Sequence, residues 1–77
     1  MKIQVFALLK DYFKTEFELT ENLPTIDLLK AHLSTMEPAV KHLLDKCRFA
    51  VNDEFVTNDY ALTSHETVCI IPPSSGG

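Results

Sequence analysis

The only two glycines of this chain, Gly76 and Gly77, are the last two of its 77 residues. At average usage a domain of this length would hold about five, so every turn before the end must form without glycine's access to positive φ. The pair follows Pro72, Pro73, Ser74 and Ser75, a stretch unsuited to a helix or sheet. We therefore divide the chain into a folded domain, residues 1–71, and a flexible C-terminal Gly-Gly tail, residues 72–77.

Composition indicates one small globular domain. Apolar residues make up 45% of the chain, and its length is near the lower limit for a core without disulfides or metals. The net charge is −4 and the seven basic residues are scattered, which predicts neither nucleic acid nor a membrane surface as partner. No apolar run reaches the ~20 residues that cross a bilayer, and the N-terminus lacks a signal-peptide pattern. A cytoplasmic protein is expected.

Side chains that bind metals or act as nucleophiles are dispersed. Cys47 and Cys69 lack C-x-x-C spacing, so we interpret them as small, reduced hydrophobic residues. Asp53, Glu54 and Asp59 are predicted to share one loop. Because EF-hand spacing is absent, we interpret it as a solvated acidic loop; a metal site or an acid–base pair is the alternative. Without a Gly-rich phosphate loop either, the chain is expected to bind no metal and no cofactor.

The first third of the chain predicts a β-hairpin. Residues 2–10 alternate as a strand, with Ile3, Val5, Ala7 and Leu9 on one face and Phe6 on the other. Residues 11–15 carry the turn, and residues 16–19 alternate again.

A helix is predicted next. Thr25 suits its N-cap, and the apolar residues that follow recur at helical spacing on one face: Ile26, Leu29, Leu33 and Met36. Pro38 suits the first position of a short second helix, which would bury Val40, Leu43, Leu44 and Cys47.

The last third of the chain predicts short strands at residues 49–51, 55–56 and 66–71, with turn residues between the first two. In the last strand Val68 and Ile70 share one face, and Cys69 and Ile71 share the other. Strands around one main helix predict an α+β roll, with a mixed sheet whose first and last strands lie together in the centre.

The tail has two interpretations. A chain end is usually frayed. Alternatively, an extended arm without Cβ atoms at its tip can enter a narrow pocket of another protein, where the terminal carboxylate reacts. Adenylation by ATP turns a carboxylate oxygen into a leaving group, and a sulfur donor then displaces AMP to leave a thiocarboxylate. Pro72 and Pro73 favour polyproline II, so the tail reaches roughly 15–20 Å.

An arm of this kind needs a docking surface. Phe6 and Ile71 are out of phase with the core residues of their strands, so neighbouring strands would place them in one exposed apolar patch that Phe55 extends. The alternative is that Phe6 and Phe55 are buried beneath the second helix.

Several stretches together resemble a known family. They are Val5-Phe6-Ala7, Lys10-Asp11, Ala50-Val51-Asn52, Leu62-Thr63, Glu66-Thr67-Val68 and the ending Ile70-Ile71-Pro72-Pro73-Ser74-Ser75-Gly76-Gly77. The chain resembles the small, sulfur-carrier subunits of molybdopterin synthase over its whole length, most specifically in Pro-Pro-x-x-Gly-Gly.

The resemblance implies a β-grasp, ubiquitin-like fold with no catalytic activity of its own. It implies that Gly77, next to Gly76, is adenylated by an activating enzyme of the ubiquitin-activating type, which uses the ATP, and becomes a thiocarboxylate. The tail would enter the large catalytic subunit and deliver sulfur to a cyclic pterin phosphate, within a heterotetramer of two small and two large subunits. The implied partner contacts are Phe6, Phe55, Ile71, Pro72, Pro73, Ser74 and Ser75.

The chain departs from the family pattern at three places. Ser64-His65 stands where the family usually has a Gly-Asp or Asp-Gly turn, Lys10 where it commonly has arginine, and Ile71 where it often has an aromatic residue. We expect these three departures to affect the affinity of the chain for its partner proteins. A thiamine-pathway sulfur carrier, a ubiquitin-like modifier and an inert interaction module remain alternatives.

Overall fold

The computed structural model describes residues 1–73, which form a five-stranded sheet and two α-helices. Ser74, Ser75, Gly76 and Gly77 lie outside the described residues. The strands are β1 (Lys2–Val5), β2 (Glu16–Glu18), β3 (Arg48–Val51), β4 (Glu54–Val56) and β5 (Thr67–Ile71). The helices are α1 (Ile26–Met36) and α2 (Lys41–Lys46), with 3₁₀ turns at Ala7–Asp11 and Pro38–Val40.

The sheet is mixed, with the strand order β2-β1-β5-β3-β4. β1 and β5 are adjacent and parallel, while β1–β2, β3–β4 and β3–β5 are antiparallel. The predicted hairpin and the pairing of the first and last strands are thus confirmed. A mixed sheet packed on one main helix, with a short second helix, confirms the α+β, β-grasp roll.

The core lies between one face of the sheet and the helices. Thr25 caps α1, its hydroxyl accepting from the Leu28 N–H at 3.3 Å. The helix face predicted from the sequence is confirmed at three of its four positions, since Ile26, Leu29 and Leu33 are fully buried. Strands β1, β3 and β5 contribute the facing side chains: Ile3, Val5, Phe49, Val51, Val68 and Ile70.

The prediction for the fourth position of that helix face, Met36, was wrong. Met36 is 47% exposed. It is the last residue of α1, and the chain leaves helical geometry at Glu37 (φ −137°) before the Pro38–Val40 turn. Pro38 begins that turn, and the second helix starts only at Lys41. Val40, the last residue of the turn, and Leu44 of α2 are buried as expected, and Leu43 and Cys47 are partly buried.

The first strand is shorter than its alternation indicates. β1 ends at Val5, and the residues predicted to continue it to Lys10 form a 3₁₀ turn instead. Ala7 has a φ of +53°, which breaks the strand and starts the turn. Leu9 still reaches the core, but on a helical turn, whereas Ala7 is exposed.

Within residues 1–73, three non-glycine residues have the positive φ of the left-handed region and form turns. Ala7 is one; Asn52 and Asp53, at φ values of +54° and +65°, are the others. These two residues join β3 to β4 and have the positive φ pair of a type I′ hairpin turn. Asn and Asp tolerate this region better than other non-glycine residues.

Candidate functional site

The second face of the sheet carries the side chains that alternate with the core residues, and we call it the open face. Strand register arranges it in rows. Gln4, Cys69 and Ala50 are cross-strand neighbours in β1, β5 and β3, and Phe55 lies beside Ala50 in β4. At one end of the sheet Arg48 lies beside Ile71. Phe6 directly follows Val5, which pairs with Ile70, so it reaches the same end.

An apolar groove, which we call the docking patch, runs along the open face from this end to the turn between β3 and β4. It is lined by Phe6, Ala50, Asp53, Phe55, Cys69 and Ile71. The structure therefore brings Phe6, Phe55 and Ile71 together, as the sequence predicted. Phe6 is 41% exposed and Phe55 is 55% exposed, so the alternative that the second helix buries them is wrong. Exposed apolar clusters of this kind are typical of partner surfaces.

The chain leaves the sheet at the docking patch. β5 ends at Ile71, Pro72 is buried, and Pro73 is exposed. Because Pro72 lacks an N–H, it cannot extend the ladder. The remaining predicted tail contacts and the glycine pair fall outside the described residues, and the partner-binding role of all these positions stays a prediction.

The opposite end of the open face is polar. The Lys2 ammonium lies 3.0 Å from the Glu16 carboxylate, and the Gln4 amide donates to Glu16 at 3.4 Å. The hydrogen bond between Lys2 and Glu16, together with their opposite charges, raises the pKa of Lys2 and lowers the pKa of Glu16, and the Gln4 hydrogen bond lowers the pKa of Glu16 further. Their side chains are 42% and 49% exposed, so such a pair contributes little stability, but it makes the β1–β2 side of the open face polar.

Sequence reasoning missed Arg48, Ala50, Asp53 and Cys69 as parts of this surface. The parity of the last strand did place Cys69 beside Ile71 on the face away from the core. Arg48 and Ala50 gave no such signal, because their neighbours come from distant parts of the sequence.

Both cysteines are free thiols. Cys69 donates to the Gln4 side-chain oxygen at 3.3 Å, and Cys47 donates to the Leu43 carbonyl at 3.1 Å. Burial raises the pKa of Cys69, and the charge of Asp53 adds to the effect. Burial also raises the pKa of Cys47 to about 11, opposed by the charge of Lys30. Both groups are thus protonated near neutrality, which suits packing and opposes nucleophilic chemistry.

The three acidic residues predicted to share one loop are separated by β4: Asp53 lies in the β3–β4 turn and lines the docking patch, Glu54 begins β4, and Asp59 follows that strand. Asp59 accepts a hydrogen bond from the Thr57 hydroxyl, and His65 is exposed. Within residues 1–73, no three side chains of the metal-binding types come close enough to hold an ion. In the same part of the chain, no helix has the length and apolar character needed to span a bilayer.

Comparison with known proteins identifies the family. Residues 3–77 match the model of the ThiS family. The chain belongs to the ThiS family. Among its sequence relatives, the molybdopterin synthase sulfur carrier subunit of Chlamydomonas reinhardtii is 41% identical over 63 residues, covering 79% of this chain and 75% of that protein. The protein of the same name from Escherichia coli K12 is 29% identical over 80 residues, covering 100% and 99%.

Solved structures agree with this membership. This ThiS-family chain is similar to one in the protein–protein complex of subunits 1 and 2 of the molybdopterin-converting factor from Helicobacter pylori 26695. The TM-score is 0.71 at 25% identity, covering 99% of this chain and 96% of that one. It also matches SAMP1 from Haloferax volcanii with a TM-score of 0.80, covering 99% and 97%; at 19% identity this likeness shows the fold alone.

Proposed function

We propose that this ThiS-family chain is the sulfur carrier subunit of molybdopterin synthase. The observation that carries the proposal is the position of the docking patch, at the end of the sheet where β5 runs into the Pro-Pro-Ser-Ser-Gly-Gly tail. A partner that binds Phe6, Phe55 and Ile71 is thereby positioned to receive the tail. The named sequence relatives support molybdopterin synthesis over the thiamine pathway, since both are molybdopterin synthase subunits.

The reacting group of the proposed carrier is the carboxylate of Gly77. A carboxylate oxygen attacks the α-phosphorus of ATP, and pyrophosphate leaves. A sulfur donor at the oxidation level of sulfide then attacks the carbonyl carbon, the bond to AMP breaks, and a thiocarboxylate remains. Gly76 and Gly77 carry no Cβ that would obstruct a narrow active site. The chain supplies the reactive end but no catalytic side chain.

Two partners follow from this chemistry. An adenylating enzyme of the ubiquitin-activating type would bind the ATP, so that the carrier itself needs no cofactor. The large subunit of the synthase would then bind the docking patch, take up the tail and receive sulfur for the dithiolene. The Helicobacter pylori complex of two subunits of the molybdopterin-converting factor supports the large-subunit partner. We propose that the sulfur transfer takes place in the cytoplasm, within a heterotetramer of two small and two large subunits.

The test is the intact mass of the protein isolated from its native cells. We expect a fraction whose mass corresponds to one oxygen replaced by one sulfur, and we expect that fraction to disappear when Gly77 is deleted. A matched control deletes one residue upstream, Ser75, which shortens the arm but keeps both glycines. An unaltered mass under sulfur-replete conditions with the activating enzyme present would contradict the proposal.

The same sample separates the alternatives. Copurification with a large synthase subunit supports the molybdopterin pathway, and its absence from a thiocarboxylated sample would favour a thiamine-pathway carrier. Higher-mass conjugates to other proteins would indicate a ubiquitin-like modifier.

A further inference from the structure

Arg48 is the only arginine of the chain, and it lies on the edge of the docking patch. Its guanidinium carbon is 3.7 Å from the centroid of the Phe55 ring, within the range of a cation–π interaction. Because Arg48 pairs with Ile71 across β3 and β5, the same residue adjoins the last residue before the tail. The backbone of Arg48 therefore lies beside the end of β5, from which the tail begins, while its cation lies over Phe55 of β4.

The guanidinium of Arg48 is available to bind a group on a partner protein. Among residues 1–73, the ion pairs involve the N-terminal ammonium, Lys2, Lys30 and His32, and none involves Arg48. The guanidinium carbon lies over the Phe55 ring, and a guanidinium in contact with an aromatic ring carries five N–H donors in its own plane with which to bind a further group. Arg48 is also exposed. These donors match the two oxygens of a carboxylate.

The cation–π contact with Arg48 also restrains the Phe55 side chain. β4 is an edge strand of only three residues, and Phe55 is 55% exposed, so sheet packing alone restrains its ring weakly. A guanidinium against one ring face limits the rotamers that Phe55 samples. Ordering a side chain before binding reduces the entropy that association costs, and aromatic and arginine residues dominate the energetics of many interfaces.

We propose that Arg48 is a specificity-determining residue of the docking patch, which binds a carboxylate on the large subunit while it holds the Phe55 ring in place for the same partner. This inference rests on the proposed function, because it names the large subunit as the occupant of the patch. The large subunit is then acidic where it meets Arg48, beside the entrance for the tail.

Charge at the two ends of the patch supports this assignment. Asp53 lies in the turn at the far end of β3 and lines the same groove. Arg48 begins β3 and its cation lies over Phe55, whereas the Asp53 anion lies in the turn after β3, so the two charges flank the patch. A partner with the complementary pair of charges docks in one orientation, and the reversed orientation brings like charges together. This orientation directs the tail toward the partner's entrance.

The experiment measures the dissociation constant between the full-length carrier and the large synthase subunit of the same organism, at several salt concentrations. Two variants are compared, Arg48→Gln, which removes the charge, and Arg48→Lys, which keeps the charge but loses the planar stack and the bidentate donors. The matched control is Lys46→Gln, which removes one charge from the exposed last residue of α2. Thermal unfolding checks that each variant is folded.

We expect Arg48→Gln to weaken binding about 10- to 30-fold and to make the dissociation constant less sensitive to salt than in the wild type. Arg48→Lys should weaken binding about 2- to 5-fold and keep the salt sensitivity of the wild type. Lys46→Gln should change neither quantity.

Two results would overturn the inference while leaving the proposed function intact. One is wild-type affinity of folded Arg48→Gln for the large subunit. The other is an equal loss in both Arg48 variants with unchanged salt sensitivity, which would reduce Arg48 to a structural role. If the wild-type carrier itself fails to bind the large subunit, the proposed partner is wrong and the inference fails with it.

Discussion

Phe55 has the highest fractional exposure of the three apolar side chains predicted to bind a partner, at 55%. Truncating an exposed aromatic residue removes little from the core, so we expect Phe55→Ala to leave the melting temperature close to that of the wild type. The same change removes an anchor of the docking patch and should weaken binding to the large subunit at least about tenfold. Calorimetric titration and thermal unfolding measure the two effects.

The control for this substitution is Leu28→Ala. Leu28 is 48% exposed on α1, so its truncation removes a similar kind of surface from the helical side of the molecule. We expect its affinity for the large subunit to equal that of the wild type. Equal losses of affinity in the two variants would show that the docking patch is not the binding surface.

The thiol of Cys47 gives a pH-dependent prediction. Burial raises its pKa from 9.0 to about 11, so the folded state binds the proton more tightly than the unfolded state does. Stability from this group is therefore full below pH 9 and is lost as the pH rises towards 11. Because the thiolate is the nucleophile, alkylation of Cys47 in the native protein should keep accelerating to about pH 11.

The measurement uses iodoacetamide on a Cys69→Ser background, so that the mass gain reports Cys47 alone. The urea-unfolded protein is the reference, and its alkylation rate should level off above pH 9.0, the ordinary pKa of the thiol. A native rate that levels off at the same pH would show that the thiol is not shielded by burial.

Among the secondary-structure elements, the β3–β4 hairpin holds conformational energy that a substitution can release. Asn52 and Asp53 both have positive φ, and a type I′ turn prefers glycine at its second position. We expect Asp53→Gly to raise the free energy of unfolding by up to about 1 kcal/mol. Urea denaturation measures the change.

Glu54→Gly provides the contrast, since Glu54 is the first residue of β4. Glycine in a strand loses more backbone entropy on folding, so this variant should be less stable than the wild type. Similar changes for both glycine variants would show that the positive φ at Asp53 is not the cause.

Elements defined by local signals could be predicted from the sequence, whereas the early end of β1 could not. The Thr25 cap and three positions of the α1 face were predicted correctly because capping and helical spacing act within a few residues. The end of β1 was not, since Ala7 and Leu9 keep the alternation of a strand while Ala7 turns the chain at positive φ. The alanine at position 7 gives no sign of that turn, whereas a glycine is the residue that usually indicates a positive φ.

At the scale of the whole molecule, the sheet separates two roles. One face packs against the helices and supplies stability, and the open face carries the docking patch. Phe6 and Ile71 could be predicted because each is out of phase with the core residues of its predicted strand, and Phe55 was predicted as an extension of their patch. Arg48 and Ala50 could not, because their place beside Ile71 and Phe55 depends on pairing between strands that are distant in sequence.

This separation of roles predicts that docking and sulfur transfer can be uncoupled at the chain terminus. Adding one alanine after Gly77 leaves the docking patch unchanged, so the variant should bind the large subunit with an affinity within about threefold of the wild type. It moves the carboxylate beyond the glycine pair and adds a Cβ at the position that reacts. We therefore expect no thiocarboxylate and no cofactor synthesis, measured by intact mass and by complementation of a strain that lacks the carrier.

Two features of this experiment make it decisive. A protease that removes the added alanine would restore activity, so the mass of the recovered protein must confirm that the extension is intact. Deleting Gly77 is the companion variant: it shortens the arm by one residue and should have the same melting temperature as the extended form, because the tail contributes little to the core. If the intact extended protein still supports cofactor synthesis, the reacting group is not the main-chain carboxylate of Gly77, and the folded domain does more than present it.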